Sequence, residues 1–249
     1  MDMTGNTILI TGGGSGIGRA LAEALHAQGN KVIVSGRRAS ALEDVAAATP
    51  GIATATLDVS DPADISRFAA EIVAAHPDLN AVIHNAGIMQ AEDLAAEGSD
   101  LAIAEATIAT NLLGPIRLNA ALLPHLLARP RAAVLTVTSG LAFVPLVATP
   151  TYSATKAAIH SWTQSLRAQL KDTSVEVIEI APPAVATDLM PGHAQNPNSM
   201  PLADYIAETM AQLEAGAAEN LTERVKFLRF AEARGDYAKV FAILNDGTH

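Results

Sequence analysis

Six short runs of apolar, often β-branched residues punctuate the chain: 7–11 (TILIT), 31–35 (KVIVS), 52–59 (IATATLDV), 80–84 (NAVIH), 132–139 (AAVLTVTS) and 175–181 (VEVIEIA). Apolar residues fill nearly every position of each run, the pattern of strands covered on both faces. Longer, alanine-rich amphipathic stretches lie between them. Gly29 stops the stretch from Gly16 to Gln28, and Ser60-Asp61-Pro62 supplies a cap with proline at the first helical position. Pro124 is expected to end or bend a long helix that begins near Leu101. Beyond Thr187 the pattern turns polar and proline-bearing (DLMPGHAQNPNSMP), then helical from Leu202 to Leu244. Strands separated by helices predict an α/β fold, a doubly wound parallel sheet with right-handed crossovers.

The 249 residues, 49% hydrophobic, suffice for one large core, so a single domain over 1–249 is expected, with 188–249 as a substrate lid and C-terminal helices of that domain. Sixteen Lys plus Arg against 26 Asp plus Glu give a net charge of −10, the wrong sign for a nucleic-acid partner. The absence of cysteine excludes disulfides, thiolate nucleophiles and iron–sulfur clusters, so redox chemistry needs a cofactor; no metal site is assigned. The start MDMTGNTILIT has no secretory pattern, which makes a cytoplasmic protein the simplest reading. The uncharged run from Ala132 to Pro150 has the length of a membrane span, but its Thr136, Thr138, Ser139, Gly140, Pro145 and Thr149 fit a buried strand running into a loop.

TGGGSGIG, residues 11–18, follows the first strand and opens a helix. Glycine there lets the backbone turn tightly and approach a pyrophosphate, whose charge the free N–H groups of the helix end would meet. Glycine also serves plain tight turns, and the spacing through Gly12, Gly16 and Gly18 is G-x-x-x-G-x-G. At the end of the second strand, where an acid usually holds a ribose 2′-hydroxyl, stand Arg37 and Arg38. Two guanidinium groups suit bidentate capture of a 2′-phosphate and imply NADP(H), with NAD(H) the weaker choice; otherwise they solvate a loop. Asp58 and Val59 close the third run, where the acid either meets an adenine amino group or turns the chain. Asn85-Ala86-Gly87 ends the fourth, small enough for a cofactor to pass. Asn111, within IATNLLG, is either a structural hydrogen-bonder or part of a site.

Ser139 closes the fifth strand, at the sheet edge where open α/β folds keep their ligands. Tyr152 and Lys156 follow, four residues apart and so on one face of a helix. A nearby ammonium and an oxidised nicotinamide would favour the phenolate and draw its pKa from about 10 toward the working pH. In reduction the same tyrosine gives its proton to a carbonyl oxygen, while serine donates a second hydrogen bond to it. A tyrosine and a lysine at this spacing are a frequent accident on helices; their conjunction with an upstream serine and a glycine-rich turn is not.

In order and spacing these segments resemble the short-chain dehydrogenase/reductase family in its single-domain form, over residues 7 to about 190. TNLLGPIRL, SGLAFVPL and LKDTSVEVIEIAPPAVATDL are similar to a bacterial subgroup labelled DltE-type oxidoreductases. The resemblance implies a Rossmann-type sheet of order 3-2-1-4-5-6 and a catalytic tetrad of Asn111, Ser139, Tyr152 and Lys156. Ser139 would orient the carbonyl and Tyr152 exchange the proton. Lys156 would bind the nicotinamide ribose and lower the tyrosine pKa, and Asn111 would hold a water linking Lys156 to solvent. Gly12, Ser15, Gly16, Ile17 and Gly18 would contact the pyrophosphate side, Arg37 and Arg38 the 2′-phosphate, and Asp58 and Val59 the adenine. Asn85, Ala86 and Gly87 would lie along the cofactor, and Val185 and Thr187 would reach the carboxamide.

Three departures from the family stand out. Pro182-Pro183 replaces the usual Pro-Gly, removing an N–H and restricting the approach to Val185 and Thr187. His84 stands where a second asparagine is common. The ending RGDYAKVFAILNDGTH looks helical and lacks the terminal seventh strand and glycine pair with which family members often build tetramers, so a homodimer through the helices of Asn111 and Tyr152 is expected. The substrate wall is expected from Leu141, Phe143, Leu146 and, in a mobile lid, Met190, which suits a hydrophobic ketone, aldehyde or secondary alcohol; Phe143 is equally open to core packing. Two other readings are a non-catalytic NADP-binding regulator and an epimerase or dehydratase of nucleotide sugars. The latter generally needs a larger C-terminal domain than the residues after Thr187 provide.

Overall fold

A computed structural model describes residues 1–96 and 101–246. Its centre is a seven-stranded, wholly parallel sheet of order β3-β2-β1-β4-β5-β6-β7. The strands are β1 (Thr7–Thr11), β2 (Lys31–Gly36), β3 (Ala53–Thr56), β4 (Ala81–His84), β5 (Ala132–Val137), β6 (Val175–Ala181) and β7 (Glu219–Leu221). Every residue of β1, β4 and β5 is buried, as full apolar runs require. One apolar layer gathers Ile8, Ile10, Leu21, Leu25 and Val34 beneath helices α1 (Gly16–Ala27), α2 (Ala39–Ala48) and α7 (Leu202–Glu214). The other gathers Leu9, Phe68, Leu118, Leu122 and Val134 beneath α3 (Pro62–Ala75), α5 (Gly114–Leu127) and α6 (Pro150–Leu170). Strand order reverses between β1 and β4, which opens a crevice beyond their carboxyl ends.

Local chemistry sets the element ends near that crevice. Asp61 accepts from the backbone N–H of Ala63 at 2.8 Å, so α3 starts at Pro62 as its cap predicts. The third strand is shorter than its apolar run. Asp58 turns the chain by accepting from the backbone N–H and hydroxyl of Ser60, at 2.9 and 2.6 Å, which takes Asp58 and Val59 out of the sheet.

Three sequence expectations change. Pro124 does not end its helix: α5 runs on to Leu127, and the missing N–H is tolerated close to the helix end. The interruption lies earlier, where α4 (Ala102–Ile108) meets α5 through a π-helical turn over Ala109–Leu113 that carries Asn111. A seventh strand does exist. The three residues of β7 pair with Glu179, Ile180 and Ala181 of β6, well before the C-terminus. The ending is helical as expected, through α8 (Glu223–Arg229), α9 (Ala231–Arg234) and α10 (Tyr237–Asn245), and its last three residues lie outside the described ones. Among the described residues no helix is long and apolar enough to cross a membrane.

Candidate active site

The glycine-rich turn joins β1 to α1 and is wedged against the end of β4. Thr11 Oγ1 accepts from the backbone N–H groups of Asn85 and Ala86, both at 3.1 Å, and Asn85 Nδ2 donates to the carbonyls of Thr11 and Gly12 at 2.9 and 3.2 Å. A Cβ on Gly18 would fall 2.3 Å from Asn85 Nδ2 and 2.4 Å from the Gly12 oxygen, so only glycine permits this approach. Gly12 itself has φ +67°. Ser15 caps α1 without a side-chain hydrogen bond, and the first turn holds no acid, which leaves the leading N–H groups of a twelve-residue helix for an anion. Gly16, at φ +53°, faces Thr187 across 3.5 Å measured from where its Cβ would stand. The turn, with Gly12 and Gly16 at positive φ, and its open helix end fit a dinucleotide.

Arg37 and Arg38 follow β2 and are exposed, and among the described residues neither forms an ion pair. The chain just before them is tied to the turn, since the Gly13 N–H donates to the Ser35 carbonyl at 3.1 Å. Asp58 is half-buried and engaged with Ser60, and Val59 packs against the start of α5, where a Cβ on Gly114 would meet the Val59 oxygen at 2.6 Å.

Asn111, Ser139, Tyr152 and Lys156 converge from α5's π-helical lead-in, the end of β5 and α6, and all four are at least 90% buried. Lys156 Nζ donates to the Val137 carbonyl at 2.8 Å and lies 5.5 Å from the centre of the Tyr152 ring. Asn111 accepts from the Ile88 N–H at 2.9 Å and donates to the Ile88 carbonyl at 2.8 Å. Gly87 lies between the parts: a Cβ there would come 3.3 Å from Asn111 Oδ1 and 3.8 Å from Lys156 Nζ. Ser139 Oγ accepts from the Leu141 N–H at 3.1 Å.

Electrostatically the site holds its charges back. Burial pushes the Tyr152 phenol up to about 12, against a hydrogen bond with Ser139 that draws it down. Burial also lowers Lys156 to about 8. His84, at the end of β4, is lowered by burial to about 4, partly offset by Asn119, so its ring is neutral near pH 7 and serves as packing.

Of the expected substrate wall, Leu141, Leu146 and Met190 are half-buried. Phe143 is engaged elsewhere: its ring meets His160 edge-on at 4.9 Å, lies 4.8 Å from the Arg229 guanidinium, and joins Ala181, Leu221 and Val225 in a small cluster. These contacts are those of its packing reading, and the ring is half-buried. Val185 pairs with Met200, and two backbone bonds, Ala186 N–H to Met200 O at 2.9 Å and Met200 N–H to Ala184 O at 2.7 Å, tie off the loop that carries Met190.

Two residues with no sequence signal also shape the site. Glu92 accepts from the N–H and hydroxyl of Thr151 at 3.0 and 2.7 Å, securing the start of α6 beside Tyr152. Asn245 of α10 accepts from the Val147 N–H at 2.7 Å and donates to the Pro145 carbonyl at 3.1 Å, holding the segment that carries Leu146. Their partners lie 59 and about a hundred residues away along the chain, beyond any local pattern.

The chain is similar to known proteins in sequence and in fold. A family model for short chain dehydrogenases matches residues 6–198. An uncharacterized oxidoreductase of Bacillus subtilis, DltE, is 40% identical over 249 residues, covering 98% of both chains. A crystal structure of a short chain dehydrogenase from Burkholderia cenocepacia in complex with NADP superposes with a TM-score of 0.82 at 25% identity, covering 98% of this chain and 99% of that one. An alcohol dehydrogenase from the archaeon Thermococcus sibiricus, complexed with 5-hydroxy-NADP, is similar at a TM-score of 0.77 and 25% identity, over 88% of this chain and 96% of that one. With its sheet order, its glycine turn and its buried tyrosine and lysine, the chain belongs to the short chain dehydrogenase family of oxidoreductases.

Proposed function

We propose that this protein is an NADP(H)-dependent reductase or alcohol dehydrogenase that interconverts a hydrophobic ketone or aldehyde and its alcohol. The observation that carries this is the gathering of Ser139, Tyr152, Lys156 and Asn111 beside a glycine turn that fits a dinucleotide. The nicotinamide supplies or accepts the hydride. Tyr152 donates its proton to the carbonyl oxygen during reduction and recovers one from solvent, and the Ser139 hydroxyl donates a hydrogen bond to the same oxygen as negative charge grows there. Lys156, held over the Tyr152 ring, favours the phenolate once charged, against the burial that otherwise keeps the phenol neutral. Asn111, fixed at both ends of its amide by Ile88, would hold a water that links Lys156 to solvent.

Arg37 and Arg38 would hold the 2′-phosphate; similar structures hold NADP, 5-hydroxy-NADP, NADH or NAD, so the two guanidinium groups carry the reading of preference. Gly12, Ser15, Gly16, Ile17 and Gly18 would hold the pyrophosphate, with Asn85, Ala86, Gly87, Val185 and Thr187 along the nicotinamide half and Asp58 and Val59 at the adenine. Leu141, Leu146 and Met190 would form the wall against an apolar substrate. We read the assembly as a homodimer through the Asn111 and Tyr152 helices. The exposed apolar Ile108 beside the π-helical turn supports that reading.

A panel of ketones, aldehydes and alcohols, followed by nicotinamide absorbance, should show turnover in the wild type. Tyr152→Phe should lose about 10³-fold in kcat with nucleotide affinity nearly intact, and retained turnover in that variant would remove tyrosine from the mechanism. NADPH should be used with a lower KM than NADH. Replacing both Arg37 and Arg38 by Ala should raise the NADPH value by about 10-fold or more while sparing NADH, and an equal change for both nucleotides would separate the arginines from the phosphate.

Because burial depresses Lys156 from 10.5 to about 8, the unfolded chain binds the extra proton between those values, so this group adds stability as pH rises through that window and withdraws it as pH falls. Tyr152, raised from 10.0 to about 12, has the opposite effect, confined to higher pH. In urea titrations the unfolding free energy of wild type relative to Lys156→Met should therefore increase between about pH 7 and about pH 9.5. A pH-independent difference would show that the amine is not desolvated. Light scattering should give twice the chain mass, and a tetramer would refute the dimer.

A further inference from the structure

Glu179 stands at the centre of a cluster that the chemistry above does not use. It lies in β6, in register with Thr136 of β5 and Glu219 of β7, and its side chain is fully buried in a strand otherwise apolar on that stretch. A buried carboxylate is costly unless it is well hydrogen-bonded, and an aliphatic residue would fill a covered strand at no such cost. Its partners are specific. Thr138 Oγ1 donates to Oε1 at 2.7 Å, and His160 Nδ1 lies 2.8 and 2.9 Å from the two oxygens. Thr138 is the residue before Ser139. His160 is one helical turn beyond Lys156 and two beyond Tyr152 on α6.

The far side of the cluster is braced from β7 and α8. The His160 ring abuts Phe143 edge-on, the Arg229 guanidinium lies over the Phe143 ring, and Arg229 Nε donates to Glu219 at 2.6 Å. His160, Glu179 and Glu219 bring ligand atoms within 4.8 Å of one another, but the guanidinium of Arg229 already answers Glu219 where a cation would have to sit.

We infer that Glu179 is a positioning residue: one carboxylate ties the strand end bearing Ser139 to the helix bearing Tyr152 and fixes the separation of the two hydroxyls that must meet a single carbonyl oxygen. This inference rests on the proposed reductase chemistry. Misplacement of reacting groups by about 1 Å can cost about 100-fold in rate, so a rigid tie between separate elements has a kinetic consequence.

The test uses full-length protein and the carbonyl compound best turned over in the panel. Glu179→Gln, Thr138→Val and His160→Phe should each lower kcat by about 10-fold or more while the nucleotide KM stays within about twofold. The double variant Thr138→Val/His160→Phe should be no slower than the worse single one, because either break releases the clamp; multiplicative losses would overturn it. Independently of turnover, amide hydrogen exchange over 138–143 in Glu179→Gln should quicken by about 10-fold or more, with β1 and α1 unchanged. Unchanged exchange there would overturn the clamp even in an active enzyme. A wild type inactive on every carbonyl would instead defeat the reductase reading and leave the exchange result to judge the clamp. If Glu179→Gln does not fold, the isosteric Thr138→Val carries the same exchange measurement.

Discussion

The close approach of two backbones holds the site together. Where β1 turns into α1, Gly18 lies so near Gly12 and the Asn85 amide that no side chain can be added, and the hydroxyl of Thr11 stitches the end of β4 to the same turn. This contact places the open end of α1 over the point where strand order reverses. It also brings Gly87 within reach of Asn111 and Lys156, so the glycine turn and the tyrosine–lysine pair share one crevice. A bulkier turn would separate the two halves before any chemistry could join them.

Within that crevice, packing and chemistry pull in opposite directions. A phenol and an amine buried beneath the surface are each driven toward neutrality, the phenol upward and the amine downward. The fold tolerates them because the amine has the Val137 carbonyl and the phenol has Ser139. The same groups respond strongly to any added charge, since a low-dielectric surround magnifies it. Residues that cost stability in the bare protein are thus the ones most able to change state when a partner arrives.

Much of this was legible along the chain because it is written locally. Six of the seven strands announce themselves as short, largely apolar runs, the α3 cap as Asp61-Pro62, and the Tyr152–Lys156 pairing as one helical turn. What escaped is written across the chain. Glu219–Leu221 forms β7 from three residues, two of them polar, and pairs only because β6 offers an edge. The π-helical turn at Asn111 sits inside a continuous helical stretch and has no residue signature of its own. Glu179 looks like any strand glutamate until its partners, 19 and 41 residues away, close around it. Phe143 was open between two roles because sequence gives its neighbours in the chain but not Arg229 or His160.

The knot of backbone bonds between Ala184, Ala186 and Met200 turns the polar excursion beyond Thr187 into a detachable cassette. Its two ends leave the scaffold side by side, so length and composition can change between them without moving β6 or α7. Under the proposed chemistry, the wall facing a substrate could be rewritten within this insert while Ser139, Tyr152 and Lys156 keep their positions.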